Sequence, residues 1–124
     1  MSGVLERDLV AEIRTVAEAM NAFVAVTGQH KAKGSGTTRG YPDLTLICAG
    51  CVKLIEVKRP KTAEHPHGYL SLAQSAFIAR AAEQGVHVFV IDSVEQFVDV
   101  VNSCRRKAIE LPAAKESHMF RAGW

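Results

Sequence analysis

Two short apolar runs separated by a two-residue turn constrain this chain more than any other feature. Residues 43–48 read Asp-Leu-Thr-Leu-Ile-Cys and residues 51–58 read Cys-Val-Lys-Leu-Ile-Glu-Val-Lys. Both favour the pleated, half-buried geometry of a strand, and Ala49-Gly50 between them suits a tight turn. An antiparallel hairpin follows, and Pro60 ends its regular pairing because proline has no N–H for the ladder. A hairpin with an apolar face needs other elements to cover it. The flanking sequence supplies them. From about Leu5 to Met20, apolar residues Leu5, Leu9, Ile13, Val16 and Met20 recur at helical spacing. Ala22–Val26 is a short apolar run suited to a strand. Ser71 and Gln74 have the spacing of a capping box, opening a helix that runs to about Gln84 and stops at Gly85. Val86–Ile91 reads as a buried strand, and a last helix, opened by Asp92 or Ser93, places Val94, Phe97, Val98 and Val101 on one face.

The order α-β-β-β-α-β-α implies an α/β fold with a mixed sheet flanked by helices on both faces, because the strand of Glu56, the helix after it and the strand of Val86 form a crossover unit. A chain of 124 residues builds one modest core. Residues 1–106 are read as that domain. From about Lys107 the pattern dissolves, and residues 107–124 form a C-terminal tail suited to an interface or to disorder. Thr27–Tyr41 and Lys61–Tyr69 are read as loops. No apolar run approaches the roughly 20 residues a membrane span requires, and the first residues lack a signal-peptide pattern, so a cytoplasmic location is expected. Three cysteines argue against a disulfide framework. Cys48 and Cys51 form a Cys-x-x-Cys, but it straddles a hairpin turn rather than opening a helix, and two small apolar residues are expected there.

The chemistry concentrates at the open end of the hairpin. Counting outward from Ala49-Gly50, Asp43 falls beside Glu56. Side chains two apart on a strand share a face, so Glu56 and Lys58 point one way and Val57 points into the core. Two carboxylates, with the Val57 backbone carbonyl, form a hard oxygen site for Mg²⁺, with Mn²⁺ as a substitute. Lys58 then sits where an attacking water or a developing phosphate charge would need it. A Glu-x-Lys tripeptide alone is a weak signal and in isolation reads as a surface salt bridge. Its conjunction with Pro42-Asp43 and a hairpin of the right length makes phosphodiester hydrolysis the sharper reading.

Net charge is only +2, yet the basic residues cluster: His30, Lys31, Lys33 and Arg39, then Lys53, Lys58, Arg59 and Lys61, then Arg105, Arg106 and Lys107. Acidic residues at a metal centre inside a basic rim produce such a balance, although solvated surface charge does so as well. The segment His30–Arg39, with Lys31, Lys33, Thr37 and Thr38, is basic, hydroxyl-rich and glycine-rich. It is expected to contact DNA phosphates, together with Arg59 and Lys61.

Four segments carry a family resemblance: Gly40-Tyr41-Pro42-Asp43-Leu44, Ile55-Glu56-Val57-Lys58-Arg59-Pro60-Lys61, Leu70-Ser71-Leu72-Ala73-Gln74 and Gly85-Val86-His87-Val88-Phe89-Val90. In order and spacing the chain resembles the VRR-NUC branch of the PD-(D/E)XK nucleases, in its small stand-alone phage and bacterial form, over roughly residues 4 to 103. The resemblance implies a restriction-endonuclease-like core, with Asp43 and Glu56 as metal ligands and Lys58 as the catalytic lysine. It implies that Gln74 is the helix glutamine near the active site and that Glu6 is a further acidic ligand, with Glu12 as the alternative. Stand-alone members resemble homodimeric Holliday-junction resolvases, which implies a Mg²⁺-dependent endonuclease acting on four-way junctions or other branched DNA. The alternatives are a flap or restriction-type nuclease and a non-catalytic branched-DNA-binding module.

Overall fold

A computed structural model describes residues 6–28, 38–58 and 70–110. Helix α1 spans Glu6–Ala19, strand β1 Phe23–Val26, β2 Leu44–Cys48, β3 Cys51–Val57, helix α2 Leu72–Glu83, strand β4 Val88–Ile91 and helix α3 Val94–Glu110. The order α-β-β-β-α-β-α expected from the sequence is the one observed.

The strands form one sheet in the order β1-β2-β3-β4. β1 and β3 flank β2 antiparallel, and β4 pairs parallel to β3 after the α2 crossover. Ala49 and Gly50 both adopt positive φ (52° and 81°), the mirror-image turn whose twist matches two antiparallel strands. That turn sets the register, with Cys48 opposite Cys51 and Leu44 opposite Ile55.

One face of the sheet carries Leu44, Leu46, Ile55 and Val57, all fully buried. Helices α1 and α3 cover it with Leu9, Ile13 and Ala17 from the first and Phe97, Val100, Val101 and Cys104 from the second. The α1 set recurs every four residues and the α3 set every three or four, which brings each onto one stripe. The opposite face is only partly covered. α2 crosses it without burying any of its own side chains completely.

Two sequence expectations are corrected. β4 is shorter than Val86–Ile91 and lies at a sheet edge, with Val90 and Val86 exposed. A continuous apolar run does not reveal whether one face or both will be covered. α3 also continues past Lys107 to Glu110. Ala108, Ile109 and Glu110 still propagate a helix, since none of them breaks it. The aromatic tail and the second loop, with His65-Pro66-His67, lie outside the described residues. Among the described residues no helix is long and apolar enough to cross a membrane.

Candidate active site

Asp43 precedes β2 and is held by backbone contacts on both sides. Its carbonyl accepts hydrogen bonds from the N–H groups of Thr27 (2.8 Å) and Gly28 (3.2 Å). The Thr27 hydroxyl donates to the carbonyl of Pro42 (3.1 Å), whose ring is buried. One step beyond the pair Leu44–Ile55, Asp43 stands opposite Glu56. Its Oδ2 accepts the Val57 N–H at 2.8 Å, which fastens the first carboxylate to the strand of the second.

Glu56 and Lys58 lie on the face opposite Val57 and are 1 % and 6 % exposed. Glu56 Oε2 is 3.4 Å from Lys58 Nζ. The Gln74 amide bridges the pair: its Nε2 donates to Glu56 Oε2 at 2.5 Å, and its Oε1 accepts from Lys58 Nζ at 3.0 Å. The same Oε1 accepts the Ser71 N–H at 2.9 Å, while the Ser71 hydroxyl accepts the Gln74 N–H at 3.1 Å. Gln74 is thus at once the partner that closes the capping box and the bridge in the acidic site. Its amide orientation satisfies two donors with the oxygen and one carboxylate with the nitrogen.

Burial first, and the neighbouring Asp43 charge second, raise the pKa of Glu56 from 4.5 to about 8, against a smaller opposing effect of Lys58. A carboxyl in that state holds its proton at neutral pH because burial strips the charged form of its solvation and Asp43 places a like charge beside it. Such a pair of oxygen donors suits a divalent cation, which would supply the missing positive charge. Among the described residues no third acid, histidine or cysteine joins Asp43 and Glu56. Glu6 begins α1, but its side chain lies outside the described residues, and Glu12 is exposed.

Of the remaining expected contacts, Thr38 and Arg39 are exposed and face α2 across a groove. His30, Lys31, Lys33, Thr37, Arg59 and Lys61 lie outside the described residues. Two basic positions leave the rim. Lys53 sits over the Phe89 ring at 5.8 Å, and Arg105 donates to the Met20 carbonyl at the end of α1. Cys48, Cys51 and Cys104 are free, with Cys48 and Cys104 in the core.

Gly40 stands in the first matching segment of the sequence reading, which gives it no role. It has φ +79°, and a Cβ there would fall 2.1 Å from the Ala73 carbonyl oxygen. Only glycine lets the segment before Asp43 approach the first turn of α2 so closely. Beside this contact Tyr41 meets Phe77 edge-on, with ring centroids 5.0 Å apart. The sole sequence signal was a glycine before the tyrosine, and its partner lies 33 positions along the chain.

No family model matches this chain, and no curated protein matches it. Solved structures do, and two of them are VRR_NUC domains. One is a VRR_NUC domain with a TM-score of 0.56 and 22% identity, the match covering 78% of this chain and 94% of that one. The other is a VRR_NUC domain protein with a TM-score of 0.53 and 21% identity, the match covering 86% and 92%. The chain has the VRR_NUC fold. Within the VRR_NUC fold of this chain, the shared rim of Asp43 and Glu56 follows from the hairpin register, and α2 brings Gln74 over it.

Proposed function

We propose that the chain is a metal-dependent nuclease that hydrolyses phosphodiester bonds in DNA. The observation that carries this reading is the pair Asp43 and Glu56, meeting at one end of the sheet with Lys58 3.4 Å from Glu56 and nearly as buried. Water and solvent ions would stabilise such charges far better than a protein interior does, so burying them is costly unless a bound cation or substrate completes the site. The VRR_NUC fold supports the nuclease class.

Asp43, Glu56 and the Val57 carbonyl are the donors proposed to hold Mg²⁺ or Mn²⁺, with Glu6 from α1 as a further ligand. The ion, when bound, supplies an acidified water and neutralises charge on the phosphoryl oxygens. Glu56 would hold the ion as a carboxylate, having given its proton to solvent. Asp43 is held in place by the Val57 N–H. Lys58, positioned by Gln74, donates hydrogen bonds toward the charge that develops on the phosphate. Gln74 does not act on the phosphate; it orients Glu56 and Lys58.

Within that class we read the chain as a homodimeric, structure-selective endonuclease acting on four-way junctions or other branched DNA. Support for self-association comes from Phe23, Ile47 and Val52, paired in one cross-strand row and exposed on the uncovered part of the sheet. Contiguous exposed apolar rows are characteristic of association surfaces.

Labelled junctions, flaps and blunt duplexes incubated with the protein and Mg²⁺ test the activity, with the mass in solution measured alongside. Asp43→Ala, Glu56→Ala and Lys58→Ala should each lower the cleavage rate by about a thousandfold or more while the fold is retained. If all three variants cut as fast as the parent, the site is misassigned. Cleavage confined to flaps or to plain duplex would replace the junction reading with its nuclease alternatives.

A further inference from the structure

A groove of about 560 Å³ runs beside the site, between residues 38–39 and the outer side of α2. Its polar lining is Thr38, Arg39 and Arg80, and its apolar lining includes Ala73, Ala76 and the half-buried Phe77. Ala73 is the residue next to Gln74, so the groove begins at the turn of α2 that closes over Glu56 and Lys58. Arg80 stands six residues beyond Gln74, about 9 Å along the helix axis. Among the described residues neither guanidinium has an ion-pair partner.

The lining is specific in its chemistry. Two guanidiniums and a hydroxyl in the lining match a phosphate, because arginine presents several donors in a planar fork. The rest of the lining is apolar, and Phe77, which meets Tyr41 edge-on, is half-buried and lines the groove. An intact duplex offers its phosphates on the outside but keeps its base faces stacked. A strand with an unpaired nucleotide offers both together. The plain alternative for Arg80 is a cation in the last turn of α2 that complements the helix dipole, which requires no groove.

We propose that this groove receives one unpaired nucleotide of the DNA strand adjoining the scissile phosphate, its base against Phe77 and its phosphate between Arg39 and Arg80. The assignment rests on the nuclease reading and adds a source of branch selectivity: substrates that expose an unstacked nucleotide are the ones this groove can hold.

Fluorescence anisotropy in EDTA, where cleavage is absent, tests it with the full chain. The probes are a single-stranded oligonucleotide, a duplex bearing an unpaired flap, and a blunt duplex. Arg80→Gln removes the phosphate contact, and Ala76→Trp fills the groove from an exposed helical position. Each should weaken binding of the single strand and the flap by about tenfold and of the blunt duplex by less than about twofold, with unchanged melting temperature. Arg80→Gln should also reduce the slope of log affinity against log salt by about one. Equal loss on all three probes would mark a general charge effect and overturn the proposal, as would no loss on any. If the parent binds the flap through Arg80 yet cuts nothing with Mg²⁺ or Mn²⁺, the nuclease reading fails and the groove stands. If the parent cuts DNA while Arg80→Gln and Ala76→Trp bind as it does, the groove fails and the nuclease reading stands.

Discussion

The two ends of the β2–β3 hairpin invert the usual arrangement of a protein surface. At the turn end, on the face that α2 leaves uncovered, Ile47 and Val52 are paired and lie in solvent. At the open end of that same face Glu56 and Lys58 are buried. Stability alone would have placed these residues the other way round. Strand geometry is shared by both ends, so the difference must come from what is laid over them. Among the described residues nothing is laid over the turn end on this face. The open end receives the first turns of α2, fastened by Gln74 to both charged side chains and by Gly40 to the segment before Asp43. The open end is therefore costly and specifically held, while the turn end is cheap and independent.

The largest expected effect lies at the open end and depends on pH. Glu56 has a folded-state pKa of about 8 against 4.5 for an ordinary glutamate, so the native protein binds this proton more tightly than the unfolded chain does. Its contribution to stability is complete below pH 4.5 and is lost as pH rises through about 8. The metal-free protein should melt at a temperature lower by on the order of 10 °C at pH 9 than at pH 5. Glu56→Gln cannot ionise and should flatten that slope. Saturating Mg²⁺ should raise the melting temperature more at pH 8 than at pH 5, because the ion displaces the proton. Thermal denaturation of the parent and Glu56→Gln across this range measures all three quantities. A slope that survives in Glu56→Gln would place the cost of the open end elsewhere.

Two glycines turn the comparison into a matched pair of substitutions. Gly40 and Gly50 have nearly the same φ, +79° and +81°, and belong to the open end and the turn end respectively. Alanine at Gly50 meets no atom within 4 Å, so Gly50→Ala bears only the conformational cost, about 1 kcal/mol. Alanine at Gly40 bears that cost and also drives Cβ into the Ala73 backbone, so Gly40→Ala should lose roughly 3 kcal/mol or more. Because the collision moves the turn that carries Gln74, Gly40→Ala should also slow cleavage, and Gly50→Ala should not. Urea denaturation and cleavage rates of both variants test this. Equal losses would mean that the close approach of Gly40 to α2 does not matter.

Much of this was legible in the sequence where the signal is local. The stripe of α1 follows from spacing within one helix, and the register that sets Asp43 against Glu56 follows from counting outward from Ala49-Gly50. Ser71 and Gln74 were visible as a capping box, and the resemblance set Gln74 near the site, but the specific bridge of its amide between Glu56 and Lys58 was not visible. The burial of Glu56 was hidden because it depends on α2 folding back over β3. Gly40 against Ala73 and Arg39 across from Arg80 were hidden for the same reason. The exposure of β4 was misread because an edge strand and a central strand can share one apolar composition. Local periodicity thus set the elements, and the parts it could not supply are those that depend on long-range docking.

The smallest expected effect belongs to the turn itself. Ala49 sits at φ 52°, a left-handed conformation that disfavours a side chain with Cβ but no local hydrogen bond to offset the strain. Asparagine tolerates that conformation and pairs naturally with a following glycine in a two-residue hairpin turn. Ala49→Asn should therefore stabilise the protein by about 0.5 kcal/mol, read as a shift in the urea midpoint at constant slope. Ala49 is exposed and far along the strands from Asp43 and Glu56. Its replacement should leave metal dependence and cleavage rate as they are. An altered cleavage rate would show that the turn transmits strain along β2 and β3 to the carboxylates, and the independence of the two ends would fail.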